Sequence, residues 1–145
     1  MFEFIEISSS KTHALRHSIL RPNQPLKECV YPNDDMKSTK HFGAIDDEEL
    51  VGIVSVYKET YKEMTMLNSW RFRGMATTEH VRGMGVGKQL LKTAENYMLS
   101  QGAQCIWANA RIKAIDFYKK LHYQIKGEQF DIKDIGLHYV IVKHL

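Results

Sequence analysis

Arg82-Gly83-Met84-Gly85-Val86-Gly87-Lys88 stands where one hydrophobic pattern gives way to another. Upstream, Ser69 to Thr78 reads as a strand. From Gly83 to Gln101 the period becomes 3.6, with Leu90, Leu91, Ala94, Tyr97 and Met98 at i, i+1, i+4, i+7 and i+8 on one helical face. Gly102 is placed to end that helix. Glycines between a strand and a helix let the main chain turn tightly and approach a ligand. The first helical turn adds N–H groups that no carbonyl of the helix can satisfy. Such donors, with the helix dipole and the charges of Arg82 and Lys88, favour phosphates. A Walker A loop requires Ser or Thr after Gly-Lys and a glycine five residues before Gly87; Gln89 and Arg82 occupy those positions. A Rossmann turn requires a third glycine at Lys88 or Leu90, and neither is one.

Arg82, Gly85 and Gly87 do fill (Arg or Gln)-x-x-Gly-x-(Gly or Ala), which resembles the pyrophosphate loop of the GNAT acyltransferase superfamily. Ala114-Ile115-Asp116-Phe117-Tyr118-Lys119-Lys120-Leu121-His122-Tyr123 is similar to the second GNAT signature, a helix ending in Gly-Phe. The specific motifs span about residues 75–123, and the element order is similar over the whole chain. Arg73-Gly74-Met75-Ala76, Phe130-Asp131-Ile132 and Gly136-Leu137-His138-Tyr139 resemble small bacterial members of unassigned substrate. Two positions depart from the pattern: Arg111 replaces the Asn three residues before Ala114, with Asn109 nearby, and His122-Tyr123 replaces Gly-Phe. Whether Asn109 or Arg111 meets the coenzyme is left open.

The resemblance implies an α/β (α+β) fold with a mixed, mostly antiparallel sheet of six to seven strands, parallel central strands splayed apart, and about four flanking helices. It further implies acetyl-CoA as acyl donor, its pyrophosphate on Arg82, Gly83, Met84, Gly85, Val86, Gly87 and Lys88. The pantetheine arm would run between strands near 70–77 and 105–109, against Met75, Ala76, Thr77, Asn109, Arg111, Ala114 and Phe117. Main-chain N–H groups near Met75 and Ala76 would face the thioester carbonyl. Tyr118 matches the family's general acid for the departing thiolate. The acceptor implied is a primary amine of a small molecule or peptide. A lysine-like amine, with a pKa of ~10.4, is reactive in only about one molecule in a few thousand at neutral pH, so a base is required. Glu79, just beyond the strand, is the first choice, with Asp131 and His138 behind it. The resemblance also implies an acceptor pocket built from Arg21 to Lys37 and Gly127 to Tyr139, where Asp34, Asp35, Asp131 and His138 are groups able to recognise a cationic acceptor. A non-catalytic acyl-CoA sensor is the alternative; it would retain Arg82, Gly85 and Gly87 and need neither Tyr118 nor a base. Many relatives are dimers, so a homodimer is compatible with the resemblance.

The remainder of the chain reads as one domain over residues 1–145. With 20 Lys and Arg against 17 Asp and Glu, 43% hydrophobic and 26% charged residues, it has an ordinary globular composition and a formal charge of +3. The longest apolar stretch, Leu50 to Tyr57, is far short of the roughly 20 residues that cross a bilayer. Glu3 and Glu6 oppose a signal peptide, and Cys29 and Cys105 have no CxxC spacing, so a cytoplasmic protein with reduced thiols is expected. Strands are expected at Phe2 to Ile7, His41 to Ile45, Leu50 to Lys58, Cys105 to Ala108, Gln124 to Ile132 and Leu137 to Val142. Helices are expected from the 8–10 serines to about Ile19 and over Lys113 to Leu121, with 22–40 irregular. His13 and His17 have an i, i+4 spacing without HExxH or a third ligand, so no metal is expected. The basic cluster Arg111, Lys113, Lys119 and Lys120 lacks any nucleic-acid motif. No nucleic-acid or membrane partner is expected.

Overall fold

A computed structural model describes residues 1–145. Its seven strands are β1 (Phe2–Ile7), β2 (Lys40–Asp46), β3 (Glu49–Tyr57), β4 (Ser69–Thr77), β5 (Cys105–Arg111), β6 (Gln124–Ile132) and β7 (Gly136–His144). They form one sheet in the order β1-β2-β3-β4-β5-β7-β6. Only β4 and β5 run parallel. The helices are α1 (His13–Leu15), α2 (Val86–Ser100) and α3 (Ile115–Lys120). No helix is long and apolar enough to cross a membrane.

The mostly antiparallel seven-stranded sheet agrees with the expected architecture. The α-helices number three rather than about four, because the 22–40 segment contributes only a 3-10 turn, Leu26–Cys29. Its prolines at 22, 25 and 32 deny a longer helix its amide donors. The helix expected after the 8–10 serines is also irregular. A 3-10 turn (Ser9–Thr12) leads into the short α1 and then a π turn, Arg16–Leu20. That wide turn accompanies a side chain drawn inward, since Arg16 is fully buried.

On one face of the sheet, α2 presents Leu90, Leu91, Ala94 and Met98, all fully buried, to a core that includes Val54, Phe72, Ile106 and Tyr118. The fifth residue of the expected helical face, Tyr97, is half-buried; it packs on Phe42 and Trp70 and donates to the Ser38 carbonyl at 2.9 Å. Gly102 ends the helix at a φ of 86°, with the Ala103 N–H donating to the Met98 carbonyl. His122 takes the left-handed conformation, φ 73°, at the position where the second signature has glycine. The exchange therefore keeps a glycine-like backbone at the turn, at the cost of a left-handed non-glycine residue, and leaves Tyr123 packed on Phe72 and Tyr118.

The other face carries a buried polar network. Arg16 donates from Nη1 to Asp34 Oδ2 at 2.7 Å and to the Cys29 carbonyl at 2.8 Å, and from Nη2 to Asp34 Oδ1 at 3.1 Å and Ser55 Oγ at 2.9 Å. Tyr57 Oη donates to Asp34 Oδ1 at 2.6 Å and the Tyr31 N–H to Oδ2 at 2.9 Å. Burial alone would raise the Asp34 pKa. The hydrogen bonds from Arg16 and Tyr57, the Arg16 charge and the Tyr31 N–H outweigh it and hold the carboxyl below its usual range. This network ties the irregular 22–40 segment to β3.

Asp34→Ala would strand a buried guanidinium, and breaking such a pair costs about 3–5 kcal/mol. Urea titration should read that loss, and adding Arg16→Met should recover part of it by removing the orphaned cation. The carboxylate's contribution is complete above roughly pH 5 and fades as pH falls through the lowered folded value, so this acid-side loss should vanish in Asp34→Ala.

Candidate active site

The two parallel strands are paired only at their beginnings, Ser69 to Arg71 against Cys105 to Trp107. Beyond that, β4 stays with β3 as far as Thr77 and β5 stays with β7 as far as Arg111, leaving a gap between them. A bulge contributes to the divergence. Arg73 pairs with Ser55 and Ala76 with Ile53, so Val54 alone opposes Gly74 and Met75. Bulges bend and twist the strand that carries the extra residue. Gly74 is required there: its φ is 64°, and a Cβ would lie 3.2 Å from Tyr31 Cε2 and 3.3 Å from Arg16 Nε.

A cleft of about 740 Å³ occupies the gap and continues along the start of α2. Gly83 and Gly85 adopt φ values of 83° and 79°, opening the turn that leads into α2. No protein acceptor takes the N–H of Gly83, Gly85, Val86, Gly87 or Lys88. A Cβ on Gly87 would meet Phe117 Cζ at 3.3 Å and Met75 Cε at 3.5 Å, so glycine lets the turn lie close over the cleft. The Arg82 N–H is taken by the Glu79 carbonyl at 3.2 Å, so Arg82 offers only its side chain, and of the residues expected at this turn only Met84 lies outside the cleft. Its N–H is spent on the Val81 carbonyl at 3.2 Å, and its side chain is exposed and outside the cleft. Arg82, Lys88 and Lys113 supply positive charge at this end of the lining. The geometry and charge suit a diphosphate.

Met75, Ala76, Thr77, Asn109, Arg111, Ala114, Phe117 and Tyr118 all line the cleft. Both Asn109 and Arg111 reach it; Arg111 Nη2 is tied to the Leu20 carbonyl at 2.5 Å, whereas the Asn109 side chain has no protein partner. The Tyr118 ring is wedged among Phe72, Phe117 and Tyr123 at centroid distances of 5.5, 5.1 and 6.0 Å. Its hydroxyl contacts only Met75 Sδ, at 3.7 Å, a weak acceptor. Burial raises the phenol's pKa, so it holds its proton across the neutral range.

The groups expected to act on the acceptor are rearranged. Glu79 lies in the 3-10 turn Glu79–Val81, exposed to solvent and outside the cleft. Asp131 is exposed, and Asp35 accepts from Ser9 Oγ at 2.8 Å away from the cleft. Asp34 is consumed by Arg16, so these carboxylates do not form a receptor for a cation. His138 does line the cleft. Its Nδ1 lies 2.7 Å from the Gly136 carbonyl, an acceptor only, so Nδ1 carries the proton and Nε2 of the neutral ring is a lone pair with no protein donor. Burial, resisted by the Gly136 hydrogen bond and aided by Arg111, lowers its pKa, against a smaller opposite effect of Asp131. Arg21 and Tyr31, from the 21–37 segment expected to face the acceptor, line the same end of the cleft, and so does Arg73, which sequence reasoning missed. The alternation Trp70, Phe72 along β4 is a signal that could have set Arg73 on the opposite face, but only the fold brings Tyr31 to it.

A parted sheet with free helix-start amides on one side and a buried phenol within the gap makes an elongated cleft with an anion-accepting end. Residues 10–123 match the family model described as Acetyltransferase (GNAT) family. The chain is 38% identical over 145 residues to the uncharacterized N-acetyltransferase YitI of Bacillus subtilis (strain 168), covering all of this chain and 97% of that one. Escherichia coli ElaA superposes with a TM-score of 0.78 at 19% identity, covering 99% of this chain and 100% of that one. An aminoglycoside 6′-N-acetyltransferase complexed with coenzyme A gives 0.77 at 15% identity, covering 98% and 96%. This chain belongs to the GNAT acetyltransferase family, whose reaction is acyl-CoA-dependent acetyl transfer.

Proposed function

We propose that this protein transfers the acetyl group of acetyl-CoA directly to a primary amine. The observation carrying the proposal is that one continuous cleft joins the free amides at the start of α2 to Tyr118 and then to His138. The turn from Arg82 to Lys88 holds the diphosphate. The open edges of β4 and β5 pair with the amides of the pantetheine arm as an added strand would. Main-chain N–H groups near Met75 and Ala76, beside the bulge, stabilise the oxyanion.

His138 Nε2, rather than Glu79, takes the proton that an ammonium must lose before it attacks. The amine nitrogen then bonds to the thioester carbon. As the C–S bond breaks, Tyr118 protonates the sulfur; the second amine proton restores the phenol, and His138 gives up its proton to solvent.

Thiol release from acetyl-CoA across a panel of amino acids, peptide amines, polyamines and aminoglycosides tests the reaction. At least one acceptor should respond; a coenzyme-binding protein inert to every class would count against transfer. The base is tested by pH. Because the His138 pKa lies below the usual imidazole value, turnover should rise with pH on the acid side and level off before neutrality. In His138→Gln the rise should instead continue towards the amine's own pKa, since free amine must then come from solution. An unchanged profile would remove His138 as the base.

A further inference from the structure

The acceptor end of the cleft is cationic. Arg21, Arg73 and Arg111 line it together with Tyr31, and the cleft lining contains no Asp or Glu. The Arg73 guanidinium carbon lies 4.2 Å from the Tyr31 ring centroid and that of Arg21 4.8 Å, so one aromatic ring gathers both. None of the three has a carboxylate partner: the side-chain ion pairs of the protein are Arg16–Asp34, Lys40–Glu6, Arg71–Glu59 and Lys143–Glu95. Arg21 donates to the Glu28 carbonyl at 3.1 Å and Arg111 to that of Leu20, while the Arg73 guanidinium makes no hydrogen bond within the protein. Burial, with the neighbouring Arg71 charge, lowers the Arg73 pKa, the mark of a cation short of compensation. The diphosphate does not supply it, since that group belongs with Arg82 and Lys88 at the start of α2.

From this unpaired set, and resting on the transferase reading above, we infer that the acceptor is an amine bearing its own carboxylate and an apolar body: an apolar amino acid or a close relative. Arg73 and Arg21 present planar forks suited to a carboxylate. Ile19, Leu20, Ile132 and Ile135 supply apolar wall around them. The same charges serve the chemistry, because an ammonium set among guanidiniums gives up its proton more readily. A polyamine or aminoglycoside, carrying several positive charges, would be repelled.

The test compares matched pairs by thiol release: leucine against isoamylamine, and phenylalanine against phenethylamine, with phosphoethanolamine and spermidine alongside. The amino acid of each pair should have kcat/KM on the order of 100-fold above its decarboxylated partner, most of the difference lying in KM. Arg73→Gln should collapse that ratio towards one while the affinity for CoA, measured by calorimetry, and the melting temperature stay unchanged. Arg21→Gln provides a second variant with the same expected direction.

A preference for spermidine or for the decarboxylated amines would overturn the inference and leave the transferase intact. A preference for phosphoethanolamine would keep the anion site but overturn its assignment to a carboxylate. Silence from every acceptor with CoA still bound would overturn both this inference and transfer to an amine. Absence of CoA binding would remove the coenzyme site on which the transferase reading stands.

Discussion

Replacing Gly85 with Glu is expected to abolish acyl-CoA binding while the protein stays folded. A Cβ on Gly85 would meet nothing within 4 Å, so the side chain has room and the core is untouched. The φ of 79° imposes a left-handed strain of about 1–2 kcal/mol, small against a typical domain's stability. The new carboxylate would sit among the free N–H groups of the turn and repel the phosphates they hold. Charge-assisted hydrogen bonds contribute about 1.5–3 kcal/mol each, so losing two raises Kd for CoA by on the order of 10²–10⁴. Calorimetry reads this directly. Gly85→Asn separates charge from strain, because Asn tolerates the left-handed region; it should bind within about tenfold of the parent. Equal loss in both variants would assign the effect to backbone conformation instead.

Tyr118→Phe is expected to lower turnover by about 10²–10⁴-fold, the usual contribution of a general acid, with little change in acetyl-CoA affinity. The variant is a clean one. The ring keeps its packing against Phe72, Phe117 and Tyr123, and the hydroxyl gives up only a 3.7 Å contact to Met75 Sδ. Stability should therefore move by less than about 1 kcal/mol. Single-turnover measurement distinguishes loss of chemistry from slowed product release. Full activity in the phenylalanine variant would show that the thiolate departs unaided or draws its proton from water.

In the proposed mechanism two titrations bracket the reaction. His138 must be neutral to act, and its lowered pKa secures that through the neutral range. Tyr118 must be protonated, and burial secures that. Environments that push two groups apart in this way are how one site supplies a base and an acid at the same pH.

The proposed coenzyme half of the site rests on residues that are local in the sequence. Gly83, Gly85 and Gly87 with Arg82 and Lys88 lie within seven consecutive residues, and a helix start exposes amides wherever it occurs. The strand alternation and the α2 face followed from periods of 2 and 3.6, which are properties of short windows. Of the acceptor half only the segments 21–37 and 127–139 were legible, and not which of their side chains the cleft would gather. Glu79 is close to the turn in sequence, yet the 3-10 turn that carries it faces water. His138 is 20 residues beyond Tyr118, and it reaches the cleft only because β7 pairs with β5 in the register Arg111↔His138.

The sequence by itself determined the element order, the glycine turn before α2, the phenol on α3 and membership in a family. Tertiary structure decided which charges remain free. Asp34 was a plausible cation receptor until the fold buried it against Arg16, and Arg73 was one basic residue among many until the β4 bulge set it beside Tyr31 with no carboxylate in reach. Local geometry depends on neighbours in the chain, whereas the pairing of a charge depends on which distant segments desolvate it and which stand opposite. That selection was made when residues 22–40 folded onto β3 and β4.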